Sequence, residues 1–344
     1  MRSICVALDA MGGDHGPSVV VPAALEALDK YQNLQLILVG DPAQIEAQLK
    51  ATPNSRNPRL MIREATQVVE MGDPPAVALR QKRDSSMRVA INLVKEGVAE
   101  ACVSAGNTGA LMAIARFVLK TLPGVDRPVI VHSLPSSMKD HVHVLDLGAN
   151  VECEPQDLLQ FAIMGSILAT AVDNNPSPTV GLLNIGSEAI KGSALVKKAA
   201  ELLSNNTVGV NYVGYVEGDD IFKGTVDVVV CDGFTGNVAL KVSEGLAKMI
   251  LKMTYEEFTR SLWGKMSALI AAPVLRALKK RLDPNLYNGA SLLGLRGIVI
   301  KSHGNAEQKA FSMAIRVAML EVEKNVPEKI QHQMAAQLGK LQTS

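Results

Sequence analysis

Ser104-Ala105-Gly106-Asn107-Thr108-Gly109-Ala110-Leu111 is the stretch on which the fold turns. Before it stands the short apolar run Glu100 to Val103; after it Leu111, Ile114, Ala115, Val118 and Leu119 recur at helical spacing. The segment reads as a strand, a glycine-bearing turn and a helix N-terminus. Such a junction suits an anion, because first-turn N–H groups have no intrahelical partner and the helix dipole adds positive charge there. Glycines in the turn let a ligand oxygen come close to the backbone.

The same grammar repeats outward in both directions. Ile4 to Leu8 ends in Asp9-Ala10-Met11-Gly12-Gly13-Asp14-His15-Gly16-Pro17, followed by helical spacing from Val19 to Leu28. Asp9 and Asp14 there can cap the helix or meet a ligand, and His15 reads as a solvated loop residue before it reads as a base. Leu34 to Val39 stops at Gly40-Asp41-Pro42, with Pro42 placed to open a helix, and Arg59 to Arg63 precedes a polar loop at 71–75. Arg80, Lys82, Arg83 and Arg88 form a basic segment, either a solvated face or a patch for an acidic protein. Downstream, Val129 to Leu134 and Val142 to Leu147 read as paired strands around the loop 135–141. Thr179 to Leu183, Val213 to Asp219, Val226 to Val230 and Gly297 to Ile300 continue the series, ending in clusters such as Asn184-Ile185-Gly186, Cys231-Asp232-Gly233 and Lys301-Ser302-His303.

Strands alternating with helices predict a three-layer α/β/α fold on a mostly parallel sheet. Right-handed crossovers then set the strand-to-helix turns along one edge, where α/β folds bind ligands. The expected organisation is one α/β domain over 1–330, an amphipathic arm within it at 245–282, and a C-terminal tail at 331–344. In the arm, Met249, Ile250, Met253, Leu262, Trp263, Leu269 and Ile270 oppose Lys248, Lys252, Arg260, Lys265, Arg276, Lys279, Lys280 and Arg281. That composition fits a dimer-forming hairpin or an arm on an anionic membrane, with Pro273 bending it or starting a second helix.

The totals narrow the function. At 344 residues and 47% hydrophobic content the chain can bury a large core without staples. A net charge of +1 and 3% aromatics argue against nucleic acid. Cys5, Cys102, Cys153 and Cys231 show no CxxC spacing, which suits a reduced cytoplasmic protein. No apolar stretch reaches the ~20 residues that span a bilayer, so membrane contact is expected to be peripheral. The GxGxxG, GxxxxGK[ST] and GxSxG patterns are all absent, which argues against a dinucleotide fingerprint, a Walker loop and a hydrolase elbow.

Taken in order, DAMGGDHGP at 9–17, SSMRVA at 85–90, SAGNTGAL at 104–111, DLGANV at 146–151, AIMGS at 162–166, LLNIG at 182–186, CDGFTGN at 231–237, YNGASLLGL at 287–295 and KSHG at 301–304 resemble the bacterial phosphate acyltransferases of phospholipid synthesis, the PlsX family. The likeness runs nearly the whole chain, with Glu152 where that family commonly has aspartate. It implies reversible transfer of a long-chain acyl group from acyl carrier protein to inorganic phosphate, giving acyl phosphate for glycerol-3-phosphate acylation. It also implies a fold like isopropylmalate dehydrogenase and phosphotransacetylase with a protruding helical hairpin. A cytoplasmic homodimer is implied too, peripherally associated with the inner membrane face and with the downstream glycerol-3-phosphate acyltransferase.

Elementary chemistry agrees with that reaction. Phosphate is already a competent nucleophile, so position and oxyanion donors suffice and no activated Ser or Cys is needed. The phosphate and acyl substrate are expected on Ser104, Gly106, Asn107, Thr108 and Gly109, with Asn150, Gly186, Asp232, Thr235 and Gly236 around them. Lys191 is the first choice for a cationic donor, His303 for a proton donor or oxyanion partner, and Asn237 for a further catalytic contact. Asp9, Asp14, Asp146, Glu152 and Asp232 could gather a Mg²⁺ ion, but the reaction needs neither metal nor cofactor. The rival readings are a decarboxylating dehydrogenase, a short-chain phosphotransacetylase using acetyl-CoA, and a non-catalytic membrane scaffold.

Overall fold

The computed structural model describes residues 2–52, 56–205, 209–282 and 287–341. The first half runs β1 (Ile4–Asp9), α1 (Pro17–Lys30), β2 (Leu34–Gly40), α2 (Pro42–Ala51), β3 (Leu60–Glu64), α3 (Pro75–Gln81), α4 (Ser86–Lys95), β4 (Ala101–Ser104), α5 (Thr108–Leu119), β5 (Val129–Pro135), β6 (His141–Leu145) and α6 (Pro155–Val172). The second runs β7 (Thr179–Leu183), α7 (Ala194–Ser204), β8 (Asn211–Val216), α8 (Asp220–Lys223), β9 (Val228–Val230), α9 (Gly233–Thr259), α10 (Leu262–Leu282), β10 (Ala290–Leu293), β11 (Ile298–Lys301), α11 (Gln308–Glu323) and α12 (Val326–Leu341).

All of these strands join one sheet in the order β3-β2-β1-β4-β11-β10-β5-β6-β9-β7-β8. Pairing is parallel from β3 to β11 and again from β6 to β8, but β10 is antiparallel to both neighbours and β5 is antiparallel to β6. The two parallel blocks therefore run in opposite directions. This corrects the expectation that every strand-to-helix turn shares one edge: β1, β4 and β11 end at one edge, and β6, β9 and β7 end at the other. The antiparallel β5–β6 hairpin already requires the reversal, and β10, four residues inside the YNGASLLGL motif, is too short to show strand alternation in the sequence.

Alternation along the strands divides the core into layers, because successive side chains point to opposite faces. On β2, Ile37 and Val39 join one core with α3, α4 and α5, while Leu34, Leu36 and Leu38 join another with α1 and α11. On β9, Val229 faces the first core, and Val228 and Val230 face a third, built with α6, α7 and α12. The polar strand endings mostly cap helices: Asp41 Oδ1 accepts from Ala43 N at 2.9 Å, and Asn107, Ser193 and Asp232 do the same for α5, α7 and α9.

The helical arm turns at Arg260–Ser261, between α9 and α10, as a hairpin requires, and Pro273 lies inside α10, which leaves out the alternative in which it starts the second helix. The side chains of Leu278, Lys279, Lys280 and Arg281 lie outside the described residues. At the C-terminal side α12 runs across the expected 330/331 boundary and buries Ile330 and Met334 against α6; residues 342–344 lie outside the described residues.

Candidate active site

On the face covered by α5 and α9 the helical layer opens over β11, β10 and β5, beside the place where strand direction reverses. A cavity of about 360 Å³ occupies the gap, within the size range of small-molecule sites. Ile130 and His132 of β5, Ala290 of β10 and Lys301 of β11 form its floor. Thr108 at the start of α5 and Asn237, Leu240 and Lys241 of α9 form its walls, and Ser302, His303 and Gly304 complete one end.

Lys301 is the central charge. It closes β11 with 9% of its surface exposed, and Nζ donates to the carbonyls of Ala105, at 3.3 Å, and Ser302. An ammonium has three donors, so one remains for the cavity. Burial pushes its pKa down to about 8, with the buried Asp9 acting in the other direction. The turn behind it is held by Asn288, whose Oδ1 accepts from His303 N at 3.0 Å and whose Nδ2 donates to Ser302 Oγ at 2.8 Å.

Across the cavity α9 supplies a charge relay of geometry, not of protons. It starts at the far edge and, eleven residues after Gly233 and about 16 Å along its axis, presents Glu244 to His303, with Nε2 and Oε1 3.2 Å apart. Lys241 Nζ reaches the same carboxylate at 3.0 Å. His303 and Lys241, against the opposing effect of burial, hold Glu244 down at about 2. His132 lies beneath this group with Nδ1 unpartnered, and burial pushes its imidazole down to about 4, keeping it neutral.

The expected site residues separate into three groups. Thr108, Asn237 and His303 line the cavity. Gly109 stands beside Thr108, and among the described residues the N–H groups of both lack an acceptor, as first-turn donors do. Other residues are taken up by the scaffold. Ser104 Oγ donates to Asp9 Oδ2 at 2.6 Å and accepts from Gly106 N at 3.0 Å. Gly106 is a packing glycine, since a Cβ would stand 2.6 Å from Met87 Cε. Asn107 caps α5 and spends its amide hydrogens on the carbonyls of Met71 and Asp73, at 2.8 and 3.0 Å. Asn150 is tied to Asp146 and Pro128, Asp232 to Thr235, and Gly236 sits where a Cβ would strike the Asp146 carbonyl.

Lys191 and Gly186 form the third group, on the exposed loop after β7 and outside the cavity walls. Lys191 Nζ pairs with Glu188 at 2.8 Å, and Gly186 packs under that lysine. Lys301, Lys241, His132 and Asn288 were not singled out from sequence. For Lys301 a signal existed: it continues the buried run Ile298, Val299, Ile300 without a break, whereas Lys191 follows a polar cluster.

Asp9, Asp14, Asp146, Glu152 and Asp232 do not assemble into a metal cage; Asp146 instead accepts from the backbone of Ile130, Ala149 and Asn150. Among the described residues, the group spaced to hold a metal is His141, His143 and Asp173. Both imidazole Nε2 atoms are engaged by Asp173, at 3.1 and 2.8 Å, and the group sits across the sheet from the cavity, on the α6 side.

Residues 4–329 match the model of a family described as "Fatty acid synthesis protein". The chain is 62% identical to the phosphate acyltransferase of Methylococcus capsulatus over 329 residues, covering 96% of each. It is 59% identical to the phosphate acyltransferase of Hydrogenovibrio crunogenus over 97% of this chain and 98% of that one. Among solved structures, a phosphotransacetylase from Streptococcus pyogenes aligns over 93% of this chain and 94% of its own with a TM-score of 0.63 at 16% identity. A 4-hydroxythreonine-4-phosphate dehydrogenase from Klebsiella pneumoniae aligns over 93% and 99% with a TM-score of 0.55 at 15% identity. At those identities the two structures speak for the fold alone.

Proposed function

The chain belongs to the fatty acid synthesis protein family and is an acyltransferase, and from that premise we propose that it moves a long-chain acyl group from acyl carrier protein to inorganic phosphate. The observation that carries this reading is the pairing of a buried Lys301 with the open N-terminus of α5 in one cavity. Cationic and N–H donors converge there, and no cysteine lines it. Burial pushes the Cys102 and Cys231 thiols well up, so neither is a thiolate nucleophile.

Phosphate rests on Thr108 and Gly109 with Lys301 behind it and attacks the thioester carbonyl directly. The new acyl–oxygen bond forms as the carbonyl electrons move onto oxygen, and Asn237 stands across the cavity to donate to that oxyanion. His303, held by Glu244, takes the proton that hydrogen phosphate loses as the acyl–oxygen bond forms. Collapse then breaks the acyl–sulfur bond as His303 passes that proton to the leaving thiolate. The same steps run backward, making the transfer reversible. Ser104, Gly106, Asn107, Asn150, Asp232, Thr235 and Gly236 act by shaping the turns. Lys191, paired with Glu188 outside the cavity, takes no step in this scheme.

The acidic carrier protein has a basic landing on the α3–α4–α5 side. Arg80 and Arg83 are exposed, and Arg88 and Lys120 bracket the Phe117 ring, 5.2 and 4.8 Å from its centroid. No helix among the described residues is long and apolar enough to cross a membrane. The α9–α10 arm nevertheless exposes Leu262, Trp263, Leu269 and Ile270 among lysines and arginines, the make-up of a peripheral membrane contact. On this reading the enzyme is a cytoplasmic homodimer that delivers acyl phosphate at the membrane to a glycerol-3-phosphate acyltransferase in phospholipid synthesis. Comparing palmitoyl carrier protein with palmitoyl-CoA and acetyl-CoA as donors tests the assignment: the carrier-protein donor should be preferred, and preference for acetyl-CoA would make the chain a short-chain phosphotransacetylase.

A further inference from the structure

A second, smaller hollow of about 220 Å³ lies between α8 and α9, and it shares Leu147 and Leu240 with the cavity. Leu134 of β5, Val144 of β6, Ile221 and Phe222 of α8 and Val242 of α9 make its walls. Its one hydroxyl, Ser243 Oγ, is already committed to the Ala239 carbonyl at 2.8 Å. Nothing in it asks for a polar ligand.

We propose that this groove holds the hydrocarbon chain of the acyl substrate, with the thioester carbonyl in the cavity and the chain running out between α8 and α9. The inference rests on the acyl-transfer reading above and adds where the chain lies and what selects its length. The exit is marked by Val238, Val242, Leu246, Met249 and Met253, all exposed and three or four residues apart on α9. Residues so spaced form one stripe, which covers about 22 Å of helix. One leaflet of a bilayer accommodates its acyl chains in about 15 Å, so the stripe is long enough for a long-chain substrate. It ends on the arm that exposes Trp263, and thus joins the reaction cavity to the surface where an apolar product would leave.

Two substitutions narrow the groove from opposite sides without touching the charged groups of the cavity. Gly218 has no atom within 4 Å of where a Cβ would stand, so Gly218→Leu projects into free space, and Ala239→Phe fills from α9. Each buried methylene is worth about fourfold in affinity, so excluding two or more should lower kcat/KM for palmitoyl carrier protein by about tenfold or more. Octanoyl carrier protein, which buries fewer methylenes along the same path, should lose less than palmitoyl carrier protein. Binding of the fluorescent fatty acid cis-parinaric acid should weaken in parallel. Equal losses for both chain lengths, or unchanged palmitoyl turnover and unchanged probe binding, would overturn the groove. Failure of the unaltered enzyme to use either thioester would instead remove the acyl-transfer reading, and probe binding would then decide the groove by itself.

Discussion

The Nζ of Lys301 donates to the Ala105 carbonyl at 3.3 Å, which fixes a buried ammonium beneath the glycine turn that opens α5. A lysine so placed is costly to bury, and among the described residues it holds the only cavity-floor positive charge. Lys301→Met is expected to lower kcat/KM for phosphate by about 10² or more, the scale of one lost electrostatic donor. Lys191→Met, on an exposed pair, should cost less than about tenfold. The rate should also fall as pH rises through about 8, where Lys301 loses its proton, and Lys301→Arg should carry that limb to higher pH. Phosphate kinetics across pH 6.5–9.5 check both points; a larger loss at Lys191 than at Lys301 would reverse the assignment.

Glu321 gives a stability signature unrelated to catalysis. It is buried on α11, accepts from Ser291 Oγ at 3.0 Å, and is pushed up to about 7 by burial. A raised carboxyl keeps its proton in the folded state while the unfolded chain loses it, so stability is full below about pH 4.5 and declines as pH rises to about 7. The penalty above that range is about 3 kcal/mol. Glu321→Gln should therefore raise Tm at pH 8 and change it little at pH 5, as calorimetry at the two pH values would show. An equal shift at both would contradict the buried titration.

Gly236 and Gly245 lie on the same helix and should respond oppositely to alanine. At Gly236 a Cβ would strike the Asp146 carbonyl, so Gly236→Ala must displace the start of α9 from the β6 turn and should destabilise by about 2 kcal/mol or more. At Gly245 nothing lies within 4 Å, and Gly245→Ala should stabilise by about 0.5–1 kcal/mol. Urea unfolding of the two variants measures the contrast.

The lone tryptophan reports on the arm. Trp263 is 77% exposed among Leu262, Met266 and Ile270. Its emission should shift to the blue with vesicles containing phosphatidylglycerol, and the shift should weaken in high salt as the basic residues are screened. No shift on anionic vesicles would leave the arm to dimer contact.

Local pattern revealed most strands, because each is a short apolar run closed by turn residues; Thr179–Leu183 is recovered to the residue. The direction of the second half was harder, since it depends on β10, a four-residue strand beside a glycine at φ 117° that offers too little alternation to read. The site suffered from the same limit. Asn107 and Asp232 look alike as ligands and as caps, and only their hydrogen bonds show the latter role. Lys191 and Lys301 both follow strands, and what separates them is the neighbour each strand receives: β10 covers Lys301, while the loop holding Lys191 stays in solvent.

The central claim is that phosphate is acylated directly at the cavity floored by Lys301. Its most direct test follows ³²P-labelled phosphate into a hydroxylamine-sensitive acyl phosphate with palmitoyl carrier protein as donor, for the unaltered enzyme and for Lys301→Met. Label should enter the lipid product in step with thioester loss, and should drop by about 10² in the variant. Thioester loss without labelled acyl phosphate, or full labelling by folded Lys301→Met, would contradict the account.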